Sequence, residues 1–198
     1  MSRFPHHLIP WLLPLLLLGC SGDSSNDWNS NNITGFMPAL QFQLTNENGQ
    51  AVTAEDYDGK ITMMFFGYTS CPHVCPVALR KLAAAARGLG DQADEVQILF
   101  VAVDPKRDQK VLDEYVSNFT PELVGLTGTQ EQLKKVTKRY RVAYSYEKPQ
   151  DDGFYVVNHS SAVFVFDAQR QARLLIDEQA NVAKITEDLR HLIAESAG

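Results

Sequence analysis

Phe66-Gly-Tyr-Thr-Ser-Cys71-Pro-His-Val-Cys75-Pro76 sets two cysteines four apart, at the point where an apolar strand turns into a helix. The strand is Ile61-Thr-Met-Met-Phe-Phe66, a β-prone run with no breaker. The helix is Val77 to Arg87, rich in strong helix formers and opened by Pro76 in its first turn. A thiol at such a junction lies near unpaired backbone N–H groups and the positive end of the helix dipole. Both favour the thiolate, the form that binds metals and attacks disulfides. The stretch therefore points to sulfur chemistry.

Outward from this unit the chain alternates strands and helices. Upstream, Leu40 to Leu44 alternates apolar and polar residues, Asn46 to Gly49 turns, and Ala51 to Thr53 returns as a hairpin. Asp56 to Gly59 is a loop. Downstream, Gln97 to Val103 is nearly all apolar, as a strand buried on both faces would be. Asp108 to Phe119 reads as a helix with Val111, Leu112, Tyr115, Val116 and Phe119 on one face. Leu123 to Leu126 is a short strand, and Thr129 opens a helix to Arg139 with the capping-box pattern Thr-x-x-Gln. Val142 to Tyr146 and Phe154 to Val157 form an extended excursion around Pro149 to Gly153. Ala162 to Phe166 and Ala172 to Ile176 make a second hairpin, and Asn181 caps a last helix through Leu192. This order predicts an α/β, thioredoxin-like fold: a central mixed sheet flanked by helices, with an N-terminal hairpin and an inserted hairpin.

The 198 residues carry a net charge of -6 and no basic stripe, which argues against a nucleic-acid partner. Arg3 followed by the apolar run Leu8 to Leu18 is too short to span a bilayer comfortably. It ends in Leu17-Leu18-Gly19-Cys20, which resembles a bacterial lipobox. The expected organisation is a lipoprotein signal peptide over 1–19, a lipidated flexible tether over 20–37 and one domain over 38–198. Lipid on Cys20 would hold the domain at a membrane in the bacterial cell envelope, outside the cytoplasm. Of the three cysteines, that leaves Cys71 and Cys75 as a single pair.

Thiols at i and i+4 project from one side of a helix start, close enough to share one soft metal ion, Cu(I) or zinc rather than a hard cation. In a regular helix their Cβ atoms stand about 5–6 Å apart, beyond the roughly 3.5–4.5 Å of a disulfide. A bridge is therefore open only if Cys71 lies outside the helix. A purely structural staple fits poorly, because closing so short a loop stabilises little. Two thiolates leave copper short of a ligand, and His159 in Val156-Val-Asn-His159-Ser is the candidate third. A lone histidine is as a rule a surface or capping residue. His159 stands apart because it precedes an apolar strand, where a thioredoxin-like layout packs the chain against the cysteine site. His73, two residues from Cys71, should point away and stays outside the ligand set. Asp104-Pro105 at a strand end reads as a turn rather than as a support behind the ligands, and Tyr68, Tyr140, Tyr144 and Tyr155 read individually as core or rim aromatics rather than walls of a site.

Three segments together resemble the SCO/SenC family of copper-binding proteins, assembly factors for cytochrome c oxidase. They are Phe65 to Pro76, Val101-Ala-Val-Asp104-Pro-Lys-Arg-Asp108, and Val157-Asn-His159-Ser with the strand to Asp167. The resemblance implies one copper, Cu(I) or Cu(II), held by Cys71, Cys75 and His159. It also implies delivery to the binuclear copper centre of oxidase subunit II, or reduction of that subunit's cysteines; the expected partner is that subunit or another copper acceptor, and the chain is expected to be a monomer. The sequence departs from the family at His73, where many members carry an acidic residue, and at Asn158, where Asp commonly precedes the histidine. The competing reading is a thiol–disulfide oxidoreductase in which Cys71 and Cys75 form a redox pair that reduces partner cysteines. A structural zinc site lacks a fourth ligand unless His73 supplies it.

Overall fold

The computed structural model describes residues 28–196. Its elements run β1 (Asn31–Asn32), β2 (Gln43–Asn46), β3 (Ala51–Thr53), β4 (Ile61–Gly67), α1 (Val74–Arg87), β5 (Val96–Ala102), α2 (Pro105–Asp108) and α3 (Leu112–Ser117). They continue β6 (Leu123–Thr127), α4 (Gln130–Arg139), β7 (Tyr144–Tyr146), β8 (Val157–His159), β9 (Val163–Phe166), β10 (Ala172–Ile176) and α5 (Val182–Ser196). Eight strands make one mixed sheet in the order β1-β10-β9-β4-β5-β6-β2-β3, and β7 pairs with β8 in a separate two-stranded ribbon. β4, β5 and β6 are parallel, while β9 runs antiparallel to β4. This is the α/β, thioredoxin-like architecture expected, with both hairpins present.

β4 and β5 lie at the centre, and every one of their residues is buried. That is why β4 shows no polar alternation: Ile61, Met63 and Phe65 enter the core under α1, α3 and α5, whereas Met64 and Phe66 enter the core under α4. A strand that feeds two cores has no face to give to water. The C-terminal end of β4 hands the chain to α1 at the end of the central strands, where the cysteines sit. Local signals hold at the ends of α4 and α5. Thr129 accepts from the Gln132 N–H, with the reciprocal Gln132 side chain to the Thr129 N–H, and the Asn181 side chain accepts from the Lys184 N–H.

Three expectations need correction. The helix expected over 108–119 is two pieces, because Asp104-Pro105 starts a helix of its own. The Asp108 carboxylate turns inward to take three hydrogen bonds, and the chain breaks before α3. Val111 falls at that break and is exposed, while Leu112 and Val116 face the core. The strand expected from Leu40, β2, begins at Gln43; Leu40 and Phe42 are buried as the alternation required, but its pairing with β3 starts only at Gln43.

The tether expected over 20–37 is the third. Residues 28–37 are fastened to the domain: the Asn29 and Ser30 N–H groups donate to the buried Asp188 carboxylate at 2.8 and 3.0 Å. Trp28 packs on the core beneath the Arg173 guanidinium and edge-on to His191, and β1 pairs with β10. The Ser/Asn-rich composition hid one aromatic anchor and one buried acceptor. The signal peptide over 1–19, the lipidated Cys20 and the rest of the tether lie outside the described residues. Among the described residues no helix is long and apolar enough to cross a membrane.

Candidate metal centre

The loop Tyr68–His73 joins β4 to α1, and its conformation follows from what the chain must avoid and satisfy. β4 ends in Gly67 because a Cβ there would lie 2.6 Å from Cys75 Sγ and 2.8 Å from Phe100 Cε2. The Cys71 N–H then donates to the Tyr68 carbonyl at 3.2 Å, turning the loop back over the helix start. Asp108, fully buried on α2, accepts from the Thr69 N–H at 2.9 Å and the Thr69 hydroxyl at 2.7 Å. Its carboxyl is pushed up by burial, with the neighbouring Asp104 adding to the shift against three hydrogen bonds. Cys71 thus sits in the loop, half-buried, outside the regular helix, and Cys75 is the second residue of α1, fully buried.

The two thiols live in different environments. Burial pushes Cys71 up, but the backbone N–H groups of Cys75, His73 and Val74, with the Cys75 thiol, outweigh it, and the net shift is downward. The Cys75 N–H points at Cys71 Sγ at 3.5 Å. Cys75 goes the other way: burial pushes its thiol far up, and a negative charge on Cys71 pushes it further. The backbone N–H groups at this junction therefore favour the thiolate at Cys71, whereas burial disfavours it at metal-free Cys75.

His159 ends β8 and turns its ring onto the same spot. Its Nδ1 lies 2.9 Å from the Ser160 carbonyl, which assigns the proton to Nδ1 and leaves the Nε2 lone pair free. Nε2 lies 3.3 Å from Cys75 Sγ. Burial holds the imidazole below its ordinary pKa, opposed by the Ser160 bond, so the ring is neutral at pH 7 and able to ligate. Phe65 and Tyr68 pack edge-on against it, with centroids 5.9 and 5.8 Å away.

Cys71, Cys75 and His159 offer ligand atoms that all lie within 4.8 Å of one another, the one such group among the described residues. An ion about 2.3 Å from sulfur and about 2.0 Å from nitrogen fits between atoms so spaced. Two soft thiolates and one imidazole suit Cu(I) and accept Cu(II), and the trigonal set leaves a side open. That side faces a cleft of about 310 Å³, lined by Cys71 and His159 with Pro72, Val74, Asn158 and Glu178; Cys75 lies behind.

Other candidates fall elsewhere. His73 lines the cleft but is outside the ligand group. Tyr68 does wall the site, against its reading as an ordinary aromatic, whereas Tyr140 bonds the backbone of Ala39 and Gln41, and Tyr144 bonds Gln130. Asp104 is more than a turn residue: it is buried, and its carboxylate takes bonds from Arg107 and from the Tyr155 hydroxyl at 2.8 Å. The sequence places Asp108 only at the start of a helix, with nothing local to tie it to the thiol loop. The signal was its place four residues after Asp104, the spacing that sets two carboxylates on one side of a short helix.

A family model described as SCO1/SenC matches residues 36–194. The SCO2-like protein of Rickettsia felis is 36% identical over 129 residues, which are 64% of this chain and 63% of that protein's length. The chain thus spans a little under two thirds of that relative. The structure of Bradyrhizobium japonicum ScoI with copper bound superposes with a TM-score of 0.71 at 35% identity, covering 78% of this chain and 98% of that one. Arabidopsis thaliana ScoI with copper bound gives 0.73 at 33% identity, over 79% and 98%.

Proposed function

The chain belongs to the SCO1/SenC family, and from that premise we propose that it is a membrane-anchored copper metallochaperone. It takes one copper on Cys71, Cys75 and His159 and passes it to the binuclear centre of cytochrome c oxidase subunit II. The observation that carries this reading is the Cys-Cys-His group within 4.8 Å at the foot of an open cleft. The pKa pattern supports it: a thiolate-prone Cys71 and a neutral His159 stand at the mouth, and Cys75 gives up its proton as copper arrives. A three-ligand site open on one side lets an acceptor thiolate or imidazole enter before the donor ligands leave. The lipobox-like Leu17-Leu18-Gly19-Cys20 supports a lipid anchor on Cys20 and an envelope location, with the chain acting as a monomer.

The test is copper stoichiometry on the reduced chain from residue 20 carrying Cys20→Ser, so that Cys71 and Cys75 are the only thiols. The expected result is one copper per chain, with a thiolate-to-copper charge-transfer band on Cu(II), and its transfer to a soluble acceptor domain. Less than a stoichiometric amount retained by the fully reduced chain would refute it.

One observation keeps a second reading in play. Cys71 lies outside α1, so the pair is free of the helical spacing that disfavours a disulfide. In that reading the Cys71 thiolate attacks a partner disulfide, and the partner's distal sulfur leaves as a thiolate. Cys75, deprotonated, then attacks Cys71 Sγ, forming the internal disulfide and releasing the reduced partner. Rapid exchange with a partner disulfide, without stable copper, would favour this activity over the first.

A further inference from the structure

The ligands of the site arrive on two arms, the thiol loop and the β7–β8 ribbon, and α2 touches both. Toward the thiol loop, Asp108 holds the Thr69 N–H and hydroxyl. Toward the ribbon, Arg107 Nη1 donates to the Tyr155 carbonyl at 2.9 Å, and its Cζ lies 3.7 Å from the Tyr155 ring centroid. The same guanidinium sits 5.4 Å from the Tyr68 ring, which itself packs on His159. Asp104 closes the clasp: it accepts from Arg107 Nε and, on the same oxygen, from the Tyr155 hydroxyl. The Tyr146 hydroxyl adds a bond to the Val103 carbonyl at 2.8 Å. Beyond these ties the ribbon is two short paired strands, marginal by themselves, with Val157 of β8 buried in the core beside Phe66 and Tyr68.

We propose that α2 is a bracket that sets the distance between the two halves of the copper site, with Arg107 the positioning residue for His159. The inference rests on His159 being a ligand, and it assigns to the Asp104-Pro-Lys-Arg-Asp108 segment a role in the imidazole's reach. When the clasp is closed, the ribbon holds His159 Nε2 at Cys75. When it opens, the ribbon and His159 swing away and leave the thiolate pair. Cu(I) tolerates that loss, because the two thiolates remain; Cu(II), which leans on the imidazole, does not. Arg107 Nη2 is buried without a hydrogen-bond partner. A planar fork held by ring stacking and only part of its donors fits a latch that opens better than a fully satisfied structural pair.

The test variant is Arg107→Lys, which keeps the charge for Asp104 but loses the flat stack and the fork. The first readout needs no metal: hydrogen exchange of amides 144–159 should quicken several-fold, with β4 and β5 amides unchanged. The second is copper loss to a chelator. Cu(II) should leave about tenfold faster, the scale for groups that orient a ligand, and Cu(I) within about threefold of the parent. Tyr155→Phe, which removes only the bond to Asp104, should move both readouts the same way by less, and it carries the test if Arg107→Lys does not fold. Unchanged ribbon exchange, or equal acceleration of Cu(I) and Cu(II) loss, would overturn the bracket. His159→Ala separates the two layers. If it keeps Cu(II) as the parent does, the ligand reading fails, while ribbon exchange still decides the bracket. If it loses Cu(II) and Arg107→Lys does not, the bracket alone fails.

Discussion

Gly67→Ala is the smallest change that should reach the metal centre, and its effect follows from two distances. The new methyl carbon would stand 2.6 Å from Cys75 Sγ and 2.8 Å from Phe100 Cε2. An ordinary van der Waals contact begins at 3.4 Å, so the sulfur must retreat by at least 0.8 Å or the strand must bend. Neither is free. Phe100 and Cys75 are fully buried, and Gly67 is paired with Ala102 in the parallel ladder. Overpacking of this kind costs about 1–3 kcal/mol, or a melting shift of roughly 2–4 °C per kcal/mol in a domain this size. For copper the consequence is larger, since a sulfur pushed that far no longer meets the short metal–sulfur distance of about 2.3 Å. The assay is thermal unfolding of parent and variant with and without Cu(I) under reducing conditions. We expect a modestly lower melting temperature without copper and a much smaller copper-induced rise, which measures binding to the folded state. A variant that melts like the parent and gains the full copper-induced rise would refute the packing described for Cys75.

Copper uptake by the reduced protein at pH 7 should release at least one proton, from Cys75; a titration in two buffers of different ionisation enthalpy reads it, and no release would contradict a neutral Cys75. Because the Cys75 pKa is raised on folding, the stability it contributes is full below the unfolded value of 9.0 and is lost as pH rises beyond it. Metal-free Cys75→Ala should therefore lose less stability between neutral and strongly alkaline pH than the parent does, by denaturant titration. Trp28→Ala should cost about 2–4 kcal/mol, near the lower end of the range for a buried aromatic because Trp28 is only partly covered. Its copper retention should stay at the parent level, since Trp28 packs against His191 on α5 and Arg173 on β10. Iodoacetamide should modify Cys71 faster than Cys75 in the metal-free protein; equal rates would contradict the half-buried, thiolate-prone setting of Cys71.

What the sequence made legible is what nearest neighbours in the chain dictate. β4 and β5 are unbroken apolar runs, Thr129 and Asn181 carry their caps, and Cys71 and Cys75 announce themselves by spacing and by the strand–helix junction around them. His159 was legible only through its fold position, and the structure does bring its Nε2 to Cys75. The parts that were not legible depend on partners far along the chain. Asp108 looks like a helix-start acid until Thr69, 39 residues earlier, is placed against it. Residues 28–37 look like linker until Asp188 accepts the Asn29 and Ser30 N–H groups across 159 and 158 residues. The opposite pKa shifts of the two thiols come from the backbone N–H groups around Cys71, which outweigh its burial, and from the deeper burial of Cys75, which spacing does not encode. The division of α2 from α3 has the same origin: an amphipathic pattern records which residues face the core, not where a buried carboxylate interrupts the helix.

X-ray absorption at the copper edge of the reduced, Cu(I)-loaded chain reads the ligands themselves, with His159→Ala measured beside it. A Cys71–Cys75–His159 site gives two sulfur neighbours at about 2.3 Å and one nitrogen at about 2.0 Å, with the nitrogen missing from the variant. A parent spectrum with a single sulfur, or a nitrogen that persists unchanged in His159→Ala, would contradict it.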